Sequence, residues 1–466
     1  MTDVHWRIMA SGDYLRFLST IMRSRLWTSV IVGTSVLGMG GAVVAQRTLH
    51  DQASVLAQNT TAGTTAGQLG ANQTQAIESR DFLDRIGVNT HIHYTDGGYA
   101  NVEKVIDALK FVGISNLRDS VPDRSLPGGG GYHFDKFADA GFKFDFVVSP
   151  NLPLAKTLSM LETFAEAHPD AITAIEGPNE VNNWPVTYNG ETGPKAAVAY
   201  QDALYKAVKN SPRLETRPVY NLTSWPELIG KFDVYNAHTY PPKGEQPEAA
   251  VRTIVEHLRE LDHGSSAAIT EVGYYTLPGK GTWGGVDEAT QASLSLNLIL
   301  DAIDSGIVKI YLYQLLDAYP DPSSSEMENH FGLFDVGYRP KPAASAIRNL
   351  INTVSTGDRE TSSAKGQAPS LTLSSGDLKV KSLLVTGDGT SSTLIVWDER
   401  KIWDSEKNVP VPVPAVDVTV ESDRAFSKVD IIDPTKAAEP IQTLGKGQSV
   451  TVALEGHPIL IKFRGE

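Results

Sequence analysis

Between residues 81 and 355 the chain alternates strictly between two patterns, and that alternation limits the folds open to it. Short apolar, β-branched runs occupy 86–89, 114–119, 144–149, 171–176, 218–222, 232–237, 267–271 and 308–314. Helix-periodic stretches lie between them at 102–111, 155–167, 195–209, 247–261 and 288–304. Regular exchange of strand and helix predicts a parallel sheet. Eight units in this span fit a (β/α)8 TIM barrel, whose usual size is about 250 residues. The fifth-to-sixth step is short and leaves room for a turn or two of helix at 225–228. An open, doubly wound sheet is the alternative; it is weakened because no Gly-rich phosphate loop follows the first run.

The flanks differ from the barrel and from each other. Residues 356–466 carry strand-like runs at 370–373, 379–386, 392–398, 415–421, 427–432, 449–454 and 459–463, separated by turns such as Gly387-Asp388-Gly389. This predicts an all-β sandwich domain. Residues 47–80 are polar, small and repetitive, as in Thr60-Thr61-Ala62-Gly63-Thr64-Thr65-Ala66-Gly67, and read as a flexible spacer. Residues 1–46 hold an uncharged run at 26–45 behind Arg7, Arg16, Arg23 and Arg25. A positive flank before an apolar run is an export pattern. A signal anchor and a cleaved signal peptide both fit; a buried helix of the folded domain is the third reading. Either export reading places the remainder outside the cytoplasm, periplasmic or secreted, with 26–45 as a possible membrane anchor.

A net charge of −14 sets nucleic-acid partners aside, because phosphate binding needs a basic surface. The absence of cysteine excludes disulfides, thiolate zinc sites and a cysteine nucleophile.

In a barrel of this type chemistry is carried at the C-terminal ends of the strands. Reading those ends in order gives Asn89 to Tyr94, Arg118-Asp119, Glu176 to Glu180, Asn221 to Trp225, His238 to Tyr240, Thr270-Glu271, and Tyr313-Gln314 with Asp317 beyond. Two carboxylates stand out at ends four and seven, Glu180 and Glu271. Hydrolysis of a glycosidic bond needs such a pair, one a proton donor and the other a nucleophile or base. A single loop glutamate is more often a solvated charge; the joint placement gives the pair its weight. Arg118 beside Asp119 equally suits a structural ion pair, Asn179 a turn residue, and Tyr240 simple packing.

The motifs Gly177-Pro178-Asn179-Glu180 and Ile269-Thr270-Glu271-Val272-Gly273 resemble glycoside hydrolase clan A, the retaining barrel enzymes, and with the appended β domain they look most like family 39 and its relatives. The resemblance implies that Glu180 is the acid/base and Glu271 the nucleophile. It implies that Asn179 bonds the sugar 2-hydroxyl, that Arg118 keeps Glu271 ionised and that Tyr240 donates to the same carboxylate. His238 would line the floor or wall of the sugar site. A retaining mechanism further implies carboxyl groups about 5–5.5 Å apart. No cofactor and no metal is implied.

Aromatic residues crowd the same strand ends: Tyr94, Trp184, Trp225, Tyr240, Tyr274, Tyr275, Trp283, Tyr313 and Tyr319. Their faces suit sugar C–H faces, although most such rings serve ordinary packing. Trp184, Trp225, Trp283 and Tyr313, with His93, join the candidate substrate-binding set for a polysaccharide or oligosaccharide. The loop 279–285 is Gly-rich and reads as a mobile cover. Two rival functions remain. His91 and His93, completed by His238 and Asp317, would suit a metal-dependent, amidohydrolase-like enzyme. A non-catalytic glycan-binding protein is the other.

Overall fold

A computed structural model describes residues 76–261, 265–281, 283–355, 369–387 and 391–464. The 26–45 run and most of the expected spacer lie outside these residues. Among the described residues no helix is long and apolar enough to cross a membrane.

All eight expected strands form and close into one parallel barrel. In chain order they are Ile86–Asn89, Asn116–Ser120, Lys143–Val147, Ile172–Glu176, Val219–Tyr220, Val234–His238, Ser266–Val272 and Lys309–Leu312. Strand eight pairs with strand one, and strand six with strand seven, which completes the ring. Side chains alternate across each strand. Leu117, Phe144, Ile175, Ile269 and Ile310 are fully buried in the main apolar core shared with the helices. Burying each contributes roughly 1.5–3 kcal/mol. The alternate positions Arg118, Asp145, Glu176, Asn236 and Thr270 are buried too, yet polar or charged. The barrel interior therefore holds an ionic layer where a purely structural barrel would be apolar.

Helices cover the outside, among them Val102–Val112, Leu154–Ala167, Pro194–Lys209, Glu248–Leu261 and Glu288–Asp304. Asp287 caps the last of these, its carboxylate accepting from the Thr290 N–H at 2.7 Å. Such a cap contributes about 1 kcal/mol. Two helices, His133–Asp139 and Pro342–Val354, escape the periodicity reading. Between strands five and six no helix forms among the described residues, in contrast to the turn or two expected there. That step is held instead by Asn221, whose amide donates to Leu228 O and whose carbonyl accepts from Gly230 N–H.

The C-terminal region is a two-sheet sandwich. Leu371–Ser374, Val416–Phe426 and Gly447–Leu454 form one sheet. The other contains Lys381–Thr386, Ser391–Trp397, Ile459–Arg464, Lys428–Ile432 and Gln442–Leu444. Val418 and Val452 from the first meet Leu394, Val396 and Ile461 from the second in one core. The turn at Gly387-Asp388-Gly389 falls partly outside the described residues. Part of the expected spacer is ordered: Ala76–Glu78 adds a parallel edge strand to the larger sheet, Ile77 opposite Val385, and Ser79–Asp84 is helical. Ile77 and Phe82 are buried, which explains why these residues leave the polar tract before them.

Barrel and sandwich meet across Glu288–Asp304. Asp301 on that helix is fully buried and accepts from Lys381 Nζ at 2.6 Å and from the Trp397 indole at 2.9 Å.

Candidate active site

The site is organised by Arg118, at the end of barrel strand two. A guanidinium has five N–H donors, and every one here has an acceptor. Nε–H and one Nη2–H donate to the two oxygens of Glu176 at 2.7 Å each. The other Nη2–H donates to Asn179 Oδ1 at 2.8 Å. Nη1 donates to Asn89 Oδ1 at 2.9 Å and to Glu271 Oε1 at 2.5 Å. The alternative ion pair with Asp119 does not form. Asp119 instead accepts from Thr90 Oγ1, Ile92 N–H and Ser120 N–H. Desolvation disfavours the charge on buried Arg118, but Glu176 and Glu271 outweigh it and hold the guanidinium protonated.

Glu271 closes strand seven. Its second oxygen accepts from the Tyr240 hydroxyl at 3.0 Å. Burial, then the Glu271 charge, push the Tyr240 phenol well above its ordinary range, so it stays a neutral donor.

Glu180 lies beyond strand four at the end of Gly177-Pro178-Asn179. Gly177 is needed because a Cβ there would run into the Gln201 side chain and the Leu222 N–H. Glu180 itself has a left-handed backbone, φ 40°. That conformation costs a non-glycine residue of order 1–3 kcal/mol. It is held by Glu180 N–H donating to Thr223 Oγ1 at 2.8 Å and by Asn183 N–H returning to Glu180 O at 2.8 Å. The Asn183 amide also donates to Glu180 Oε2 at 3.1 Å. The Glu180 side chain is 30% exposed against 13% for Glu271, so it is the more open of the two to the cleft.

His238, ending strand six, joins the two glutamates. Nδ1 is 3.1 Å from Glu180 Oε1 and 3.6 Å from Glu271 Oε2, while Nε2 is 3.1 Å from Thr270 Oγ1. Burial alone would lower its pKa; Glu271, Glu176 and Glu180 reverse that and lift it to about 9. The ring is an imidazolium at neutral pH. Burial raises Glu180, but the His238 hydrogen bond and charge and the Asn183 amide outweigh it, and the carboxyl lies below its ordinary value.

One atom each of Glu180, His238 and Glu271 lie within 4.8 Å of one another. Among the described residues this trio is the group whose atoms could share a metal ion. A protonated His238 supplies positive charge at the same place.

The rival metal set is not assembled. His91 stacks on Tyr94 at 4.7 Å, and His93 binds Ser120 Oγ through Nδ1 and packs on Phe134. Burial above all pushes both imidazoles down to about 4. Asp317 is taken by Lys341 Nζ at 2.9 Å and Gly332 N–H at 2.8 Å. The first barrel strand ends at Asn89, so the two histidines no longer share a face. His93, expected against the sugar, thus has Ser120, Asp123 and Phe134 as its partners rather than either glutamate.

The aromatic candidates divide. Trp283 stands 42% exposed, its ring 5.2 Å from Tyr240, and Tyr313 packs at 6.3 Å from the same ring. Trp225 is 75% exposed and its N–H donates to Asn182 Oδ1. Trp184 is half-buried, with its N–H on Glu180 O. Thr282 of the expected cover lies outside the described residues; around it, Lys280 O accepts from the Tyr275 hydroxyl and Trp283 O from Lys243 N–H.

Sequence reasoning gave no role to Glu176, Asn89, Thr270 or Asn183, all bonded into this network. It also missed Glu328. The turn Met327–His330 is tied to the end of strand eight, Gln314 Nε2 donating to Glu328 O at 3.1 Å. Burial and then the Glu271 charge lift the Glu328 carboxyl to about 7.

This geometry can be set beside known structures. A family 39 glycoside hydrolase from Bacteroides cellulosilyticus WH2 superposes with a TM-score of 0.55 at 15% identity, covering 84% of this chain and 82% of that one. The fold is that of the clan A glycoside hydrolases, family 39 among them. The family 39 enzyme from Xanthomonas axonopodis pv. citri gives 0.51 at 12% identity, covering 86% and 100%. A monomeric beta-xylosidase from Caulobacter crescentus CB15 gives 0.53 at 14%, covering 85% and 98%. No family model matches the sequence, and no curated protein does.

Proposed function

We propose that the chain is a retaining glycoside hydrolase that cleaves a polysaccharide or oligosaccharide outside the cytoplasm, with Glu180 as acid/base and Glu271 as nucleophile. The observation that carries this is the approach of the two carboxyl groups to within 4.8 Å at their nearest oxygens. Inverting enzymes keep their carboxyls roughly 6.5–9.5 Å apart, to admit a water between acid and base. The clan A fold supports the same reading.

In the first step a Glu271 oxygen attacks the anomeric carbon. The glycosidic C–O bond breaks as its oxygen takes a proton from Glu180, leaving a glycosyl ester on Glu271. Glu180 then removes a proton from water, which attacks the same carbon and releases Glu271. Arg118 and Tyr240 each bind one oxygen of Glu271, which keeps it anionic and fixes its direction. In the free site His238 holds the proton of the His238–Glu180 pair. Substrate covering Glu180 desolvates its carboxylate and favours transfer of that proton across the 3.1 Å contact.

The reading is tested by incubating the full chain with a polysaccharide panel and analysing products by mass spectrometry. Glu271→Ala should lose activity by about 10⁴-fold or more, and azide should restore turnover as the glycosyl azide of opposite anomer. A parent protein that binds a glycan but never cleaves it, or loss of activity on metal chelation, defeats the proposal.

A further inference from the structure

Glu180 stands at the end of a directional chain of hydrogen bonds that the double displacement does not use. The chain starts at a backbone N–H, which can only donate. Trp225 N–H donates to Asn182 Oδ1 at 3.0 Å, which leaves the Asn182 nitrogen as the donor. That Nδ2 donates to Asn183 Oδ1 at 3.0 Å, and Asn183 Nδ2 donates in turn to Glu180 Oε2 at 3.1 Å. Each amide is oriented by the group before it, so Oε2 is held as an acceptor. The carbonyl oxygen of a carboxylic acid accepts far better than its hydroxyl oxygen, so a protonated Glu180 keeps its proton off Oε2. The other oxygen, Oε1, is the one 3.1 Å from His238 Nδ1. The backbone fixes this arrangement. Glu180 O accepts from Asn183 N–H at 2.8 Å and from Trp184 N–H at 3.0 Å, a turn that returns the Asn183 side chain to the carboxylate three residues earlier. Thr223 anchors the start of the turn, its hydroxyl accepting from Glu180 N–H and its carbonyl from Val181 N–H.

We propose that Asn183, oriented through Asn182 by the Trp225 loop, is a positioning residue that confines the acid proton of Glu180 to Oε1. The proposal rests on the glycosidase reading, in which Glu180 protonates the leaving oxygen. Oε1 receives the proton from His238 and presents it to the leaving oxygen, while the bond to Oε2 stops the carboxyl from turning. The same amide stabilises the carboxylate that remains once the proton has gone. Without Asn183 the proton distributes over both oxygens and the carboxyl rotates out of the productive direction. His238 cannot replace this restraint, because its hydrogen bond is to Oε1.

A leaving-group series tests this. Dinitrophenolate departs without protonation, whereas phenol needs the acid. Phenyl and dinitrophenyl glycosides of the sugar that the full chain releases from the polysaccharide panel would be compared by kcat/KM, which reports the steps up to loss of the leaving group. Asn183→Ala should lower kcat/KM for the phenyl glycoside by about tenfold, a fraction of what a general acid contributes, and for the dinitrophenyl glycoside by less than about twofold. Its melting temperature should match that of the parent, since Asn183 is exposed. Asn182→Ala keeps the Asn183 amide but removes the donor that orients it, and should show the same pattern at smaller size. A loss equal for both leaving groups, or no loss for the phenyl glycoside in Asn183→Ala, overturns the positioning role and leaves the glycosidase reading intact. Release of no sugar from the panel overturns the glycosidase reading and this one with it.

Discussion

The His238 imidazolium sits between Glu180 and Glu271, Nδ1 3.1 Å from one and 3.6 Å from the other. A cation between two carboxylates lets both approach closely without one being forced neutral. On the proposed mechanism it also stores a proton beside Glu180, the group that would deliver it.

The pH profile follows from this. The His238–Glu180 pair holds its proton below the His238 pKa of about 9 and loses it above. On the proposed mechanism the leaving oxygen needs that proton, so kcat/KM should fall as pH rises through about 9, and the value belongs to the pair rather than to either residue. In His238→Gln only the Glu180 carboxyl can hold the proton. The alkaline limb should then move to lower pH by more than one unit. A limb that stays near 9 in the variant would show that the proton is not stored on His238.

Arg118→Lys should be a severe change despite keeping the charge. An ammonium offers three donors where Arg118 uses five, and it cannot grip Glu176 in a fork. Leaving Glu176 under-paired at 0% exposure should cost about 3–5 kcal/mol of stability. Activity should drop by about 10²-fold or more, since Glu271 and Asn179 lose their anchor as well. Adding Glu176→Gln should recover much of the melting temperature while leaving kcat low; recovery of both would mean that Arg118 acts only through folding.

The eight strands were legible because barrel strands covered on the outside by helices must carry β-branched, apolar runs, and Leu117, Phe144 and Ile269 stand in such runs. Glu180 and Glu271 were legible because strand ends are where chemistry gathers. Glu176 was not, since a charged residue ending a strand looks like any solvated terminus until its partner, Arg118, is placed opposite. Glu328 lies in an irregular loop with no period to read. His91 and His93 misled for a related reason: their two-residue spacing implies one face only within a strand, and the strand has already ended at Asn89.

Trp225 should act as a platform for the part of the substrate beyond the scissile bond. Its loop is linked to Glu180 through a short chain: the Trp225 backbone N–H to Asn182, Asn182 to Asn183, Asn183 to Glu180. Stacking on an aromatic face contributes about 0.5–1.5 kcal/mol, so Trp225→Ala should raise KM on long oligosaccharides by roughly two- to tenfold with kcat nearly unchanged. The melting temperature should not move, because the ring is 75% exposed. An unchanged KM on every chain length would remove Trp225 from the site.

The junction of barrel and sandwich should weaken with alkali. Asp301 Oδ2 and both Glu399 oxygens are buried without a donor from any other group, and Glu399 lies against Asp301, as two carboxyls sharing one proton do. Burial first, and then the Asp301 charge, lift Glu399 to about 9. The unfolded chain releases this proton at the ordinary value, 4.5. Between these limits the folded protein binds the extra proton, so stability falls as pH rises. The melting temperature of the parent, measured from pH 6 to pH 9, should therefore decline more steeply than that of Glu399→Gln, whose amide can donate to Asp301 at every pH. Parallel curves would show that no proton is shared across the junction.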